Sequence, residues 1–128
     1  MKKLLITLLL AVLSTSAMAE WTPIDQTEMS THYVDFSTIR KAGNKVKIWG
    51  MTDFKTMQII VDLGFLSTKY QAEYDCQNET DTALASLFFS GNMGSGQVVG
   101  TSSKRSDPMP VSPRSLGELF WKIACGKQ

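Results

Sequence analysis

Hydrophobic and polar residues alternate along much of this chain, a pattern that predicts β-strands with one face in water and one in a core. The clearest case is the segment 70–77, where the alternation runs without a break. Its apolar side comprises Tyr70, Ala72, Tyr74 and Cys76, and its polar side comprises Gln71, Glu73, Asp75 and Gln77. We therefore expect Cys76 to point toward the core with the apolar residues.

Shorter segments predict the rest of a sheet. The segment 45–48 also alternates, the turn signal 42–44 precedes it, and 33–36 is placed to pair with it as a hairpin. Trp49 and Met51 continue the face of Lys45 and Lys47, so we expect that face to be partly covered. Further strands are predicted at 58–62, which Gly64 ends, at 83–89 and at 97–103. Five or six short strands with tight connections result.

The C-terminal segment changes to a helical period. Its apolar residues at i, i+3, i+4 and i+7 are Leu116, Leu119, Phe120 and Ile123. Ser115 with Glu118 is a capping-box pattern that Pro113 precedes, and Gly126 is a suitable stop. We expect this helix to lie across the apolar face of the sheet. At about 100° per residue Cys125 points away from the middle of the stripe, so we expect the last turn to fray or tighten.

The first 19 residues have the features of a secretory signal peptide. Lys2 and Lys3 form a positive start, an apolar stretch 4–13 follows, and small residues at 17–19 form a cleavage site. The stretch is shorter than the roughly 20 residues of a spanning helix, and no later apolar run reaches that length. No cysteine lies near 17–20 for lipid attachment. We expect a periplasmic or secreted protein that is cleaved after Ala19 and has no transmembrane segment afterwards.

The remaining residues, 20–128, fit one domain in length and contain no long repeat or linker. Export permits disulfides, and two cysteines allow one intramolecular pair, Cys76 with Cys125. The sequence thus predicts an α+β fold: a single antiparallel β-sheet of five to six strands with a C-terminal helix packed on one face and tied by a disulfide.

Charge gives no indication of a nucleic-acid partner. The chain has 13 Lys+Arg and 12 Asp+Glu; without Lys2 and Lys3 the balance is 11 against 12, a net charge of −1. Neither nucleic acid nor an anionic membrane is indicated by that balance.

Residues capable of chemistry are few, and we expect no catalytic site, metal site or cofactor. The single histidine, His32, leaves no cluster for zinc and is interpreted as a surface or turn residue. Glu73 and Asp75 lie on one side of a strand, where we expect them to be solvated rather than to act as an acid–base pair. The glycines of 91–96 resemble a phosphate loop, but a strand follows them instead of a helix, which favours a hairpin turn.

Four basic residues lie within eight positions around the first predicted turn. They are Arg40, Lys41, Lys45 and Lys47. Such a group is either a contact site for a polyanion or an acidic partner, or a solvated hairpin tip.

Several segments together resemble the bacterial surface-adhesin E family, also called the protein E-like family. The resemblance covers nearly all of 20–128. It rests on Tyr33-x-Asp35, Gly43 before Val46-x-x-Trp49, Ser67, Glu73-Tyr74-Asp75-Cys76, Met93-Gly94-x-Gly96-x-Val98-Val99, and Pro113-x-Ser115 leading to Cys125. It implies an antiparallel sheet with a disulfide-tied C-terminal helix, and a surface protein that binds host matrix or plasma proteins.

Two functions are therefore expected, both non-enzymatic. The first is a protein-binding domain of the surface-adhesin E type that uses an exposed sheet face or edge and the turn 40–47. The alternative is a periplasmic inhibitor or immunity protein against a cell-wall hydrolase or toxin, with acidic residues facing a basic enzyme. Those acidic residues are Glu73, Asp75, Glu79 and Asp81. The identity of the partner and the oligomeric state are left open.

Overall fold

A computed structural model describes residues 20–127, and the predicted signal peptide 1–19 lies outside them. The described residues form seven strands and one helix. In chain order these are β1 (Thr22–Gln26), β2 (Ser30–Ala42), β3 (Lys45–Ile60), β4 (Leu63–Asp75), β5 (Thr80–Phe89), β6 (Val98–Ser102), β7 (Met109–Pro110) and α1 (Leu116–Cys125). The strands make one antiparallel sheet in the order β1-β2-β3-β4-β5-β6, and β7 pairs with the free part of β5.

The predicted fold class is confirmed, whereas several strand boundaries are not. The segment 58–62 is not a separate strand, because β3 continues through it to Ile60 and turns at Val61 and Asp62. Strands β1 and β7 were not expected, since β1 contains a proline without clear alternation and β7 has only two residues. These edge strands are recruited by the neighbouring long strand rather than by their own pattern.

Strands β3 and β4 form the longest hairpin and extend beyond the rest of the sheet. Pairing between β2 and β3 ends at Ser30 with Phe54, whereas β3 and β4 remain paired as far as Ile60 with Leu63. The register shifts between Asp53 and Gln58, as it does in β2 between Asp35 and Arg40. Such bulges increase the local twist, and the end of the hairpin stands clear of β2.

The core lies between the middle of the sheet and α1. Its fully or nearly fully buried members are Val34, Val46, Ile48, Tyr74, Phe120 and Ala124. The Phe120 ring is stacked with Tyr74 at a centroid distance of 6.3 Å and packs edge-on against Tyr70 at 5.8 Å. A Cβ on Gly50 would lie 2.7 Å from Phe120, so glycine is what lets the helix approach the sheet here.

The helix begins and ends as its sequence predicts. The Ser115 hydroxyl accepts a hydrogen bond from the Glu118 amide at 3.1 Å, and Gly126 closes the helix with φ 67°. Cys76 and Cys125 form the expected disulfide, with a Cα–Cα distance of 5.6 Å. The last turn was expected to fray or tighten. It does not fray, because α1 remains α-helical through Cys125, and the tighter bond from the Gly126 amide to the Ile123 carbonyl follows at its end.

The face opposite the helix is covered in part, as expected. Met51 is 0% exposed on that face. Near it, the Lys69 ammonium lies 5.7 Å from the centre of the Trp21 ring and 5.1 Å from that of Phe89. Cation–π contacts of this kind hold the N-terminal segment against the sheet.

The glycine-rich segment 91–96 is a hairpin connection, as predicted, and contains one 3₁₀ turn at Asn92–Gly94. The buried Ser67 hydroxyl fixes it by donating to the Gly91 carbonyl at 2.6 Å and accepting from the Gly94 amide at 2.8 Å. The Asp53 carboxylate accepts from the Met93 amide at 2.8 Å. The connection is therefore anchored to the sheet at both ends of its turn.

Candidate protein-binding surface

The hairpin between β2 and β3 positions the basic residues. It closes with Ala42 opposite Lys45, and its two-residue loop places Gly43 at φ 62°, a conformation that glycine adopts without strain. The neighbouring turn supports this loop, because the Cys76 amide donates to the Asn44 carbonyl at 2.8 Å. The loop is thereby held next to the disulfide.

The strand register separates the four predicted basic residues into two groups. Arg40 pairs with Lys47, and Lys45 lies two residues before Lys47, so these three share the face opposite the helix. Lys41 pairs with Val46, whose side chain belongs to the core under the helix, and so lies on the other side. All four are exposed. The structure brings three of the four together.

Glu73 lies in the middle of this basic face and is not solvated, contrary to expectation. Its side chain is 13% exposed and pairs with Arg105 at 2.8 Å and with Lys45 at 4.0 Å. Both cations keep 56% of their side chains exposed, so they pair with Glu73 and still face solvent. We define Arg40, Lys45, Lys47 and Arg105, around Glu73, as the basic face.

Trp49 borders the basic face on β3, two residues beyond Lys47, and is half-buried. Its amide donates to the Thr38 hydroxyl at 3.0 Å, within the bulge that precedes Arg40. Tryptophan and arginine are enriched where protein interfaces are strongest. The period-two alternation of β3 had placed Trp49 on this face. Arg105 was missed, because it lies in an irregular connection without any pattern.

The acidic residues of the alternative function are largely engaged within the chain. The Asp75 carboxylate accepts from the Gln77 and Asn78 amides, and the bonds from Asn78 foremost hold the pKa of Asp75 below its usual value. Asp81 lies under the start of the helix, with one oxygen 3.0 Å from the position of a Cβ on Gly117, and burial raises its pKa. Glu79 remains exposed in the turn.

His32 is not the surface or turn residue that the sequence suggested. It lies within β2, half-buried, and its Nδ1 is 2.9 Å from the Thr52 hydroxyl while its Nε2 is 3.4 Å from the Ser30 hydroxyl. Thr52 in turn lies 3.3 Å from the Tyr70 hydroxyl. Burial lowers the pKa of His32, although the Asp25 charge acts in the opposite direction. Ser30 is 6% exposed, so this hydrogen-bonded chain satisfies buried polar groups.

Two further properties concern only residues 20–127. No three His, Cys, Asp or Glu side chains in this range are arranged to hold a metal ion. The one α-helix among residues 20–127 has ten residues and is too short to cross a membrane.

Comparison with known proteins identifies the fold. Solved structures of protein E from Haemophilus influenzae match with a TM-score of 0.63 at 14% identity, over 86% of this chain and 97% of that one. A second form matches with a TM-score of 0.61 at 15% identity, over 85% and 92%. Protein E from non-typeable Haemophilus influenzae matches with a TM-score of 0.57 at 13% identity, over 88% of this chain and 86% of that one. Identities this low establish a shared fold alone.

Sequence comparison covers the same region. No protein with a curated description matches the chain. The family model described as surface-adhesin protein E matches residues 21–126, which includes every strand and the helix described above. The resemblance that the sequence motifs indicated is thus confirmed, and the chain belongs to the surface-adhesin protein E family.

Proposed function

We propose that this adhesin-like chain is an exported, non-enzymatic protein-binding domain whose basic face contacts an acidic region of a host or envelope protein. The observation that carries the proposal is the register of β2 and β3, which brings Arg40, Lys45 and Lys47 onto one exposed face. Arg105 extends that face from another segment. Complementary charge of this kind steers association and sets specificity.

The geometry favours this function over an inhibitor that uses acidic residues. Glu73 is enclosed by two cations, and Asp75 accepts hydrogen bonds from its own turn. Asp81 lies beneath the helix. Three of the four acidic residues thus have partners or cover within the chain, whereas the cations of the basic face keep much of their surface open.

Charge reversal tests the basic face. The double substitution Lys45→Glu and Lys47→Glu should reduce binding to immobilised matrix, plasma or envelope proteins at least tenfold, and raising the salt concentration should weaken wild-type binding. A matched control is Arg114→Glu with Lys127→Glu, two exposed cations beside the helix. An equal loss of binding in both variants would mean that binding depends on the net charge of the chain, and would contradict a specific basic face.

Location is tested separately. Cells that express the full chain should expose it to added protease, either when intact, as for a surface adhesin, or only after osmotic shock, as for a periplasmic binder. Protection until shock would exclude adhesion and direct the binding screen to envelope proteins. Protection even after shock would contradict export.

A further inference from the structure

A cavity of about 130 Å³ lies where three segments of the chain meet. The segments are the turn between β4 and β5, the connection from β7 to α1, and the first two turns of α1. Its lining residues are Glu79, Val111, Pro113, Glu118 and Trp121. Glu79 and Pro113 are exposed, so the cavity opens to solvent. Because a cavity of about 150 Å³ holds a benzene molecule, this one has room for the end of a single side chain.

Hydrogen bonds hold the walls of the cavity together. The Val111 amide donates to the Glu79 carbonyl at 3.0 Å, which joins the β7–α1 connection to the β4–β5 turn. The Trp121 indole N–H donates to the Asp75 carbonyl at 2.9 Å, which joins the helix to the start of the same turn. The cavity is therefore formed in the free protein, and a ligand does not have to order these segments when it binds.

The residues that line the cavity include two anions and no cation. Glu118 is 28% exposed and forms an ion pair with Lys122 at 3.3 Å along the helix. Glu79 makes no ion pair with any of residues 20–127. The other three lining residues, among them the indole of Trp121, supply apolar surface. The cavity thus combines apolar walls with a carboxylate that has no counter-charge among the residues described.

Charge and shape select the class of ligand. A metal ion does not fit, since no three His, Cys, Asp or Glu side chains in the described part of the chain are arranged to hold one. An organic cation suits the cavity, because its alkyl stem packs against apolar walls and its charge is attracted by carboxylates and by an indole ring. Carboxylates on two separate segments suit a compact ammonium group with three donors better than the planar fork of arginine.

We propose that this cavity binds the side chain of a lysine on a partner protein. A free amine that fills the cavity has only about five non-hydrogen atoms and binds weakly by itself, whereas a lysine gains from the contacts that its protein makes around the opening. The site goes beyond the proposed function, because the basic face lies on the side of the sheet opposite α1 and takes the opposite charge.

NMR titration of protein purified from cells that express the full chain tests the chemistry, with n-butylammonium as the probe. The chain has three tryptophans, and Trp121→Phe identifies the indole N–H signal at the cavity. That signal should shift with a dissociation constant on the order of 10 mM, while those of Trp21 and Trp49 stay in place. A Trp121 signal that does not shift would overturn the proposal.

Two further probes separate the contributions of charge and stem. The neutral analogue n-butanol and the stemless ammonium ion should each bind about fivefold more weakly than n-butylammonium, or weaker still. Equal binding of n-butanol would show a merely apolar cavity, and equal binding of ammonium would show an ordinary counter-ion. Either result would overturn the proposal.

Glu79→Gln tests the carboxylate directly. It should weaken n-butylammonium binding about fivefold, and because the side chain is exposed the fold should be unchanged. Glu28→Gln is the matched control, since it makes the same change at an exposed residue between β1 and β2 and should leave the affinity unchanged. Equal losses in the two variants would mean that the net charge of the chain attracts the probe, and would overturn the proposal.

A blocked glycyl-lysyl-glycine peptide distinguishes a protein side chain from a free amine. The peptide should bind at least as tightly as n-butylammonium, and acetylation of its lysine should abolish binding. If n-butylammonium binds and the peptide does not, the ligand is a free amine and the proposed partner is wrong. Neither glutamate variant alters the basic face, so failure here leaves the proposed function standing.

Discussion

The two ends of the β-sheet are stabilised in different ways. At the end that holds the β2–β3 hairpin, which we call the charged end, a disulfide ties the last turn of α1 to the sheet and charged side chains pair with one another. At the opposite end, which we call the apolar end after its exposed residues Ile59, Ile60 and Val61, the β3–β4 hairpin extends past the last β2 contact. The first arrangement fixes a face and leaves its cations available. The second leaves apolar side chains and part of a strand edge exposed.

The largest effect should come from the disulfide at the charged end. Replacing Cys76 and Cys125 by Ala removes a link across 49 residues and should lower the free energy of unfolding by about 4 kcal/mol, since the unfolded chain gains freedom. Urea denaturation measures this loss. Wild type in reducing agent is the control and should lose a similar amount. An unchanged midpoint in both would contradict the role given to the link.

The contact between helix and sheet should be next in size. Gly50→Ala places a Cβ 2.6 Å from the Tyr70 ring and 2.7 Å from Phe120, so we expect a loss of about 1–3 kcal/mol as the helix is pushed away. Gly100→Ala is the matched control, because its nearest neighbours lie at an ordinary 3.5 Å. Thermal denaturation of both variants checks the difference. Equal losses would mean that close packing at Gly50 is unimportant.

At the apolar end, the effect should have the opposite sign. Val61→Asn replaces a strained β-branched residue with one that tolerates φ 45°, and should raise the free energy of unfolding by about 0.5–1 kcal/mol. Ile59→Asn, in the extended part of the same hairpin, is the control and should bring no gain. Urea denaturation at low protein concentration makes the comparison. A loss at position 61 would show that the tip is not strained.

The smallest effect should be a pH dependence from His32. Because burial lowers its pKa in the folded state, the unfolded chain takes up the proton first as the pH falls through about 6.5, the ordinary pKa of histidine. Stability should therefore decrease from that pH down to the lower folded pKa and then level off. His32→Asn should remove this component. The test is to measure the urea midpoints of both proteins at pH 7.5 and pH 5.5, about one pH unit either side of an ordinary histidine pKa. If the midpoint changes between the two pH values by the same amount in wild type and in His32→Asn, the prediction is refuted.

Much of the fold was predictable because it depends on local period. Alternation in 70–77 identified the central strand, and the i, i+3, i+4, i+7 stripe with Ser115 identified the helix and its start. Of the fraying or tightening expected at Cys125, fraying does not occur, since helical periodicity gives the direction of a side chain but not its distance of 5.6 Å (Cα–Cα) from Cys76.

The candidate site was predictable only in part. Arg40, Lys45 and Lys47 are near one another in sequence and stay so in space, because a hairpin joins them. Arg105 reaches the same face from a segment 32 residues away from its partner Glu73, and no local pattern indicates that contact. Solvation of Glu73 was expected from alternation, which separates the two faces of a strand but does not say what covers each one.

By itself, the sequence determined the fold class, the helix with its caps and the cysteine pair. Strand and helix periods and capping residues are local signals, and two cysteines allow only one intramolecular pair. Tertiary structure decided which strand edges stay open, which cations share a face, and how far the β3–β4 hairpin extends past β2. Those features depend on register and on where each neighbouring strand ends. Both are set by contacts between residues far apart in the chain, which no local pattern records.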